Sequence, residues 1–154
     1  PRIPASGPLP GLRERLAMIS HILCPTDGSP HALRALSAAA LLAQKYAASL
    51  SIILINTPVG AGMGPMVYAW PDDEAAEILA AAHATAAEQN APTIHTEMVI
   101  SSDAASGIID YARAHKVDHI IMGTGDKRGL SRLVLGSVAA DVAARAPCSV
   151  TIAR

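Results

Sequence analysis

Short runs of Ile, Leu and Val return five times along this chain, and each is separated from the next by a helix-like segment. The runs are ISHILCP from Ile19, SLSIILIN over Ser49 to Asn56, Ile94 to Ile100, Val117 to Gly123 and Cys148 to Ala153. Between them, helices are expected over Pro30 to Ala48, Asp72 to Asn90, Ala104 to Lys116 and Ser137 to Arg145. Strands that alternate with helices need right-handed crossovers, and these build an open parallel sheet covered by helices on both faces. The near-continuous aliphatics of SLSIILIN suit a strand buried from both sides. With 154 residues there is room for one such core and not for two.

Start and stop signals agree with this reading. In TDGSP, Ser29 can cap a helix and Pro30 takes the favoured first position. Ser102 or Asp103 caps the third helix, and Asp72, Asp73 and Glu74 suit the positive end of the second. In the first helix Leu33, Leu36, Ala40, Leu41 and Ala43 form the expected apolar stripe, with Arg34, Gln44 and Lys45 in water. Thr57 to Pro71 is rich in Gly and Pro and reads as a long mobile loop, with Trp70 as a latch or contact. Pro1 to Ala17 show no sustained periodicity and read as a flexible leader, with Met18 as the expected start.

Phe is absent and aromatics are 3% of the chain, so Ala, Leu, Ile and Val must fill the interior. A net charge of -1, with basic and acidic residues interspersed, offers no footprint for nucleic acid or an acidic membrane. Cys24 and Cys148 lie in apolar segments, outside any CxxC pair, and read as buried reduced thiols. Without a disulfide framework, a signal-like segment or a long apolar run, a soluble cytoplasmic protein is expected.

In open parallel sheets ligands sit beyond the carboxyl ends of the strands, where the chain order reverses. Two loops there carry chemistry. After the fourth strand, Gly123-Thr-Gly-Asp-Lys-Arg-Gly-Leu-Ser-Arg-Leu-Val-Leu-Gly-Ser137 runs straight into a helix. A helix start offers unpaired N–H groups and the positive end of its dipole to an anion, and Gly136 has no Cβ to hold a phosphate away. Ser137 adds a hydroxyl, and Lys127, Arg128 and Arg132 can neutralise phosphate charge or simply be solvated. After the first strand, Asp27 can serve as a turn residue and at the same time accept from a ribose hydroxyl or adenine amine, or help place a metal ion that bridges phosphates.

Catalysis finds less support. The chain has no GxxxxGK(S/T) loop, no glycine-serine loop after the first strand and no GxSxG elbow. Its six His residues do not cluster in sequence. Any ATP hydrolysis is expected to be slow.

Four stretches together resemble the universal stress protein family: ISHILCPTDGSPHALRAL, SLSIILIN, VDHIIMGT and GLSRLVLGSVAADVAARAPCSVTIA. The last is the specific one, and the likeness covers Ile19 to Arg154. It implies a three-layer α/β fold of the adenine nucleotide alpha hydrolase-like type, with sheet order 3-2-1-4-5, over residues 18–154. It also implies a stress-response regulatory homodimer that binds ATP or AMP, with Mg2+ where phosphates need it. The family's phosphate motif is G-x-x-G, nine residues, then G-(S/T). Gly123 matches its first glycine and Gly136 with Ser137 its closing pair, but Asp126 stands at the second glycine.

Carried over, the likeness places Pro25, Thr26 and Asp27 at adenosine, and Met122 and Gly123 at base and sugar. It places Gly136, Ser137 and Val138 at the phosphates and Asn56 near adenine. An uncompensated Asp126 carboxylate about 4 Å from a phosphate charge would oppose binding by about 4 kcal/mol at an effective dielectric near 20. Gly125, Lys127 and Arg128 are the neighbours that can relieve it. The alternative is a dimeric interaction protein of the same fold that holds no nucleotide. In either case the apolar terminal strand is expected to pair across a two-fold axis rather than remain an open sheet edge.

Overall fold

The computed structural model describes residues 19–60, 62–125 and 135–154. The leader over 1–17, Met18, and Asp126, Lys127, Arg128 and Arg132 of the glycine loop lie outside the described residues. In chain order the elements are β1 (His21–Pro25), α1 (Pro30–Tyr46), β2 (Ser49–Asn56), β3 (Pro58–Val59), β4 (Val67–Tyr68) and α2 (Asp72–Glu88). They continue as β5 (Thr93–Ile100), α3 (Ala104–Ala114), β6 (His119–Gly123), α4 (Ser137–Arg145) and β7 (Ser149–Ala153). Five strands form one sheet in the order β5-β2-β1-β6-β7, every neighbouring pair parallel. Counting only those strands, the order is 3-2-1-4-5. Among the described residues no helix is long and apolar enough to cross a membrane.

The two-residue period of the strands divides the core into two layers. Ile22 and Cys24 of β1, Leu50, Ile52 and Leu54 of β2, and Ile121 of β6 face α1 and α2. Leu23, Ile53, Ile120 and Met122 face α3 and α4. Register follows from this alternation: Ser49↔Thr93 through Asn56↔Ile100 joins β2 to β5, and His119↔Ser149 through Gly123↔Ala153 joins β6 to β7. A one-residue slip would turn each aliphatic to the wrong layer.

Helix α1 packs through Leu36, Ala40 and Ala43 of the expected stripe but not through its Leu33 and Leu41. Ala32, Ala35, Leu36, Ala39, Ala40 and Ala43 are buried, while Leu33 and Leu41 are 41% and 54% exposed. A face of alanines brings the helix axis close to the sheet, so the larger leucines fall outside the contact. Three helices also end two residues early, at Tyr46, Glu88 and Ala114, rather than at Ala48, Asn90 and Lys116. The cause is local: Ala47, Asn90 and Lys116 sit in the left-handed region at φ 51°, 57° and 52°, which turns the chain out of the helix. The segment expected as a structureless loop over Thr57 to Pro71 contains a small hairpin, with Pro58↔Tyr68 and Val59↔Val67 paired antiparallel.

Cys24 is fully buried, and burial pushes its thiol up to about 12. Cys148 is only half-buried, contrary to expectation, and both are free. At the amino ends of the strands the histidines serve the fold. The His21 ring lies between Ser51 Oγ at 2.8 Å and the His115 carbonyl at 3.1 Å, and the His115 ring stacks on Tyr111.

Asp118 ties β1 to β6, its Oδ2 accepting from the Ser20 backbone (2.8 Å), Ser20 Oγ (2.7 Å) and the His21 backbone (2.8 Å). Burial works against its charge, but the bonds from Ser20 and His21 outweigh it and hold the carboxyl below its usual value. A depressed carboxylate contributes stability above its unfolded pKa and loses it as pH falls through the folded one. Asp118→Ala should therefore lower the melting temperature at pH 7, and the gap from wild type should narrow as pH drops below the ordinary carboxylate range. Melting curves with a pH-independent gap would show that these bonds do not act through the charge.

Candidate functional site

Beyond the carboxyl ends of β1 and β6 the chain leaves the sheet toward opposite faces, to α1 after β1 and to α4 after β6. The opening at this switch point is a cavity of about 310 Å³. Pro25, Thr26 and Asp27 enter it from β1, Ser29, His31 and Ala32 from the start of α1, and Met122, Gly123, Thr124 and Gly125 from β6. Gly136, Ser137, Val138 and Ala139 enter from α4, Ala104 and Ile108 from α3, and Ile55 and Trp70 complete the wall.

The β1 loop is built by its own polar groups. The Thr26 N–H donates to the Ile53 carbonyl (2.8 Å), continuing the sheet one step past β1, and Thr26 Oγ1 accepts from the Gly28 N–H (3.2 Å). Asp27 Oδ1 accepts from the Ser29 N–H at 2.9 Å, so the expected turn role is present. Its other carboxylate oxygen has no hydrogen bond among the described residues. Gly28, at φ 76°, makes the turn that a side chain would strain.

Glycine is required at the β6 loop for reasons of close approach. A Cβ on Gly123 would lie 2.8 Å from the His31 carbonyl carbon and oxygen, so β6 meets the first turn of α1 backbone to backbone. Gly136 is held to glycine by the protein itself. Its missing Cβ makes room first for protein, because a side chain there would run into the Thr124 carbonyl oxygen, the acceptor for the Gly136 N–H at 2.9 Å. The two ends of the glycine loop thus meet, and Gly125 turns the chain at φ 77°.

Three helices begin at this cavity, and they are not alike. Ser29 Oγ caps α1 by accepting from the Ala32 N–H at 3.2 Å. Asp103 Oδ2 caps α3 by accepting from the Ser106 N–H at 2.8 Å, and the Ser106 bonds draw its carboxyl below the usual value. The cap of α4 is Gly136, which has no side chain to give, and no side-chain cap bond is made there. Among the described residues, the first-turn amides of α4 are the ones left at the cavity without a side-chain acceptor.

Of the residues singled out in sequence, Pro25, Thr26, Asp27, Met122, Gly123, Gly125, Gly136, Ser137 and Val138 are brought together here. Arg128 lies outside the described residues. Asn56 does not line the cavity: it is buried at 1% exposure, and its amide is taken by Trp70, Nδ2 donating to the Trp70 carbonyl (2.8 Å) and Oδ1 accepting from the Trp70 N–H (2.9 Å). Its neighbour Ile55 faces the cavity instead, as the period of two requires. His31, Ala104 and Ile108 were missed because nothing in a lone sequence distinguishes them from ordinary helix residues. Among the described residues no three His, Cys, Asp or Glu side chains are placed to hold a metal ion.

The sequence profile described as the universal stress protein family matches residues 18–154. The chain belongs to that family. It is similar to a universal stress protein of Methanocaldococcus jannaschii, 34% identical over 140 residues, which span 86% of this chain and 81% of the relative. Among solved structures it resembles universal stress protein UspA from Lactobacillus plantarum, with TM-score 0.74 and 27% identity over 90% of this chain and 99% of that one. It also resembles a universal stress protein in complex with cAMP, with TM-score 0.71 and 26% identity over 90% of this chain and 98% of that one.

Proposed function

We propose that this universal stress protein binds an adenine nucleotide, ATP or AMP, and acts as a nucleotide-responsive regulatory dimer in the cytoplasm. The observation that carries the reading is the uncapped start of α4, opening into a cavity whose other helix starts are already capped. Phosphate oxygens suit the amides of Ser137 and Val138, where N–H donors and the helix dipole act together. The open carboxylate oxygen of Asp27 suits a ribose hydroxyl, and the apolar side chains of Ile55, Ile108 and Met122 suit a base. The cAMP complex of a relative supports the same ligand class. When ATP is the ligand, Mg2+ would neutralise its phosphates, with Asp27 the carboxylate at hand.

The dimer is proposed through β7. Among the described residues this strand pairs only with β6, so its other edge keeps unpaired backbone groups unless a second copy covers it. Calorimetric titration of ATP and AMP, with and without Mg2+, into protein that sediments as a dimer is the expected positive result. Asp27→Ala should weaken binding roughly tenfold or more, the loss expected for one charged hydrogen bond. No heat with either nucleotide, from a protein that still sediments as a dimer, would leave a non-nucleotide interaction protein as the correct reading.

A further inference from the structure

Asn56 is among the largest fully buried side chains, and it is the polar one among them. Leaving a buried amide unpartnered costs more than its paired bonds contribute net, so the partners of Asn56 are held firmly. Both ends of this amide hold the backbone of a single residue, Trp70, across a fourteen-residue excursion. The Ala69 N–H to Thr57 carbonyl bond (2.9 Å) continues the same pairing toward the hairpin. Nδ2 also lies 3.5 Å from Met98 Sδ of β5, and the Asn56 carbonyl accepts from the Ser101 N–H, so the clamp is anchored in the sheet.

The place of this clamp is specific. Asn56 ends β2, which lies on one side of β1, while α4 follows β6 on the other. Asp27 at the end of β1 stands between them, so the cavity runs from Trp70 past Asp27 to Ser137. Trp70 is the chain's single tryptophan and the only Trp, Tyr or Phe among the described residues lining the cavity. It packs on the α1 and α2 layer, which gives the ring a fixed backing.

We infer that Trp70 is the contact that selects a planar base at this site, and that Asn56 is the positioning residue that holds Trp70 against it. The inference rests on the nucleotide-binding reading and goes beyond it, because it assigns base recognition to a residue outside the glycine loop and the β1 turn. An aromatic face favours any flat base and gives nothing to a bare sugar phosphate, so affinity for the two should separate.

The test uses AMP and ribose 5-phosphate on the whole chain. With wild type, AMP should change Trp70 emission saturably and ribose 5-phosphate should leave it unmoved. Trp70→Leu, which keeps an apolar wall, should weaken AMP roughly tenfold, in line with base–aromatic stacking elsewhere, and leave ribose 5-phosphate within about twofold. Asn56→Leu should show the same separation and, without ligand, a Trp70 more accessible to acrylamide. The Trp70 substitution at a half-buried position keeps the test independent of whether Asn56→Leu folds. If AMP gives binding heat but Trp70→Leu leaves its affinity unchanged, the assignment of Trp70 falls and nucleotide binding stands. If neither AMP nor ATP gives heat with wild type, both fall.

Discussion

Gly136→Ala should weaken ATP and AMP roughly a hundredfold while leaving the sheet folded. The added methyl enters the space of the Thr124 carbonyl oxygen, and that oxygen is backbone, with no rotamer to escape by. Either the Gly136 to Thr124 hydrogen bond breaks or the start of α4 moves away from β6. In both cases the amides of Ser137 and Val138 leave the cavity wall, and displacements near 1 Å cost about a hundredfold where recognition is geometric. The cost to the fold should be about 1–3 kcal/mol, as for other overpacked sites. Calorimetry and thermal unfolding on the same preparation separate the two effects. Unchanged affinity in this variant would mean that the α4 amides do not hold the ligand.

The largest loss of stability is expected from Ile53→Ala. Ile53 has no exposed surface, lies in a strand flanked on both sides and packs with Leu23, Ile108 and Ile120 in the layer under α3 and α4. Truncating a buried isoleucine removes its transfer energy and leaves a cavity, about 2–5 kcal/mol together. For a domain of this size that lowers the melting temperature by roughly 5–15 °C. The Ile53 carbonyl also accepts from the Thr26 N–H, so the β1 loop should loosen and nucleotide binding should weaken modestly. A melting point within about 2 °C of wild type would show that the layer collapses onto the gap.

Much of this architecture could be read from the residues, and the reasons differ by element. β2 and α4 fall at Ser49–Asn56 and Ser137–Arg145, as expected, because their ends carry unambiguous signals. The other helix ends were overestimated because Ala47 and Lys116 are not residues whose chemistry announces a left-handed turn. Leu33 and Leu41 were misplaced by treating hydrophobicity as burial, when helix-to-sheet distance was set by alanines.

The site was legible where backbone chemistry dictates it, at the TDGSP turn and the Gly-Ser helix start. It was not legible where contacts are tertiary. Ile55 and Asn56 are adjacent, and only the sheet decides which of them faces the cavity. The steric need for Gly136 was invisible for the same reason, since Thr124 lies twelve residues away in sequence.

Nucleotide binding here requires an anionic ligand group to meet the first amides of α4 while the sugar meets Asp27. Amide-resolved nuclear magnetic resonance during titration with AMP tests this directly. The expected result is that the largest shifts fall on Ser137, Val138 and Asp27, with the Trp70 indole N–H moving in step. Saturable binding whose shifts instead gather in the groove lined by Leu33, Glu77 and Ile78, with the α4 amides still, would contradict it.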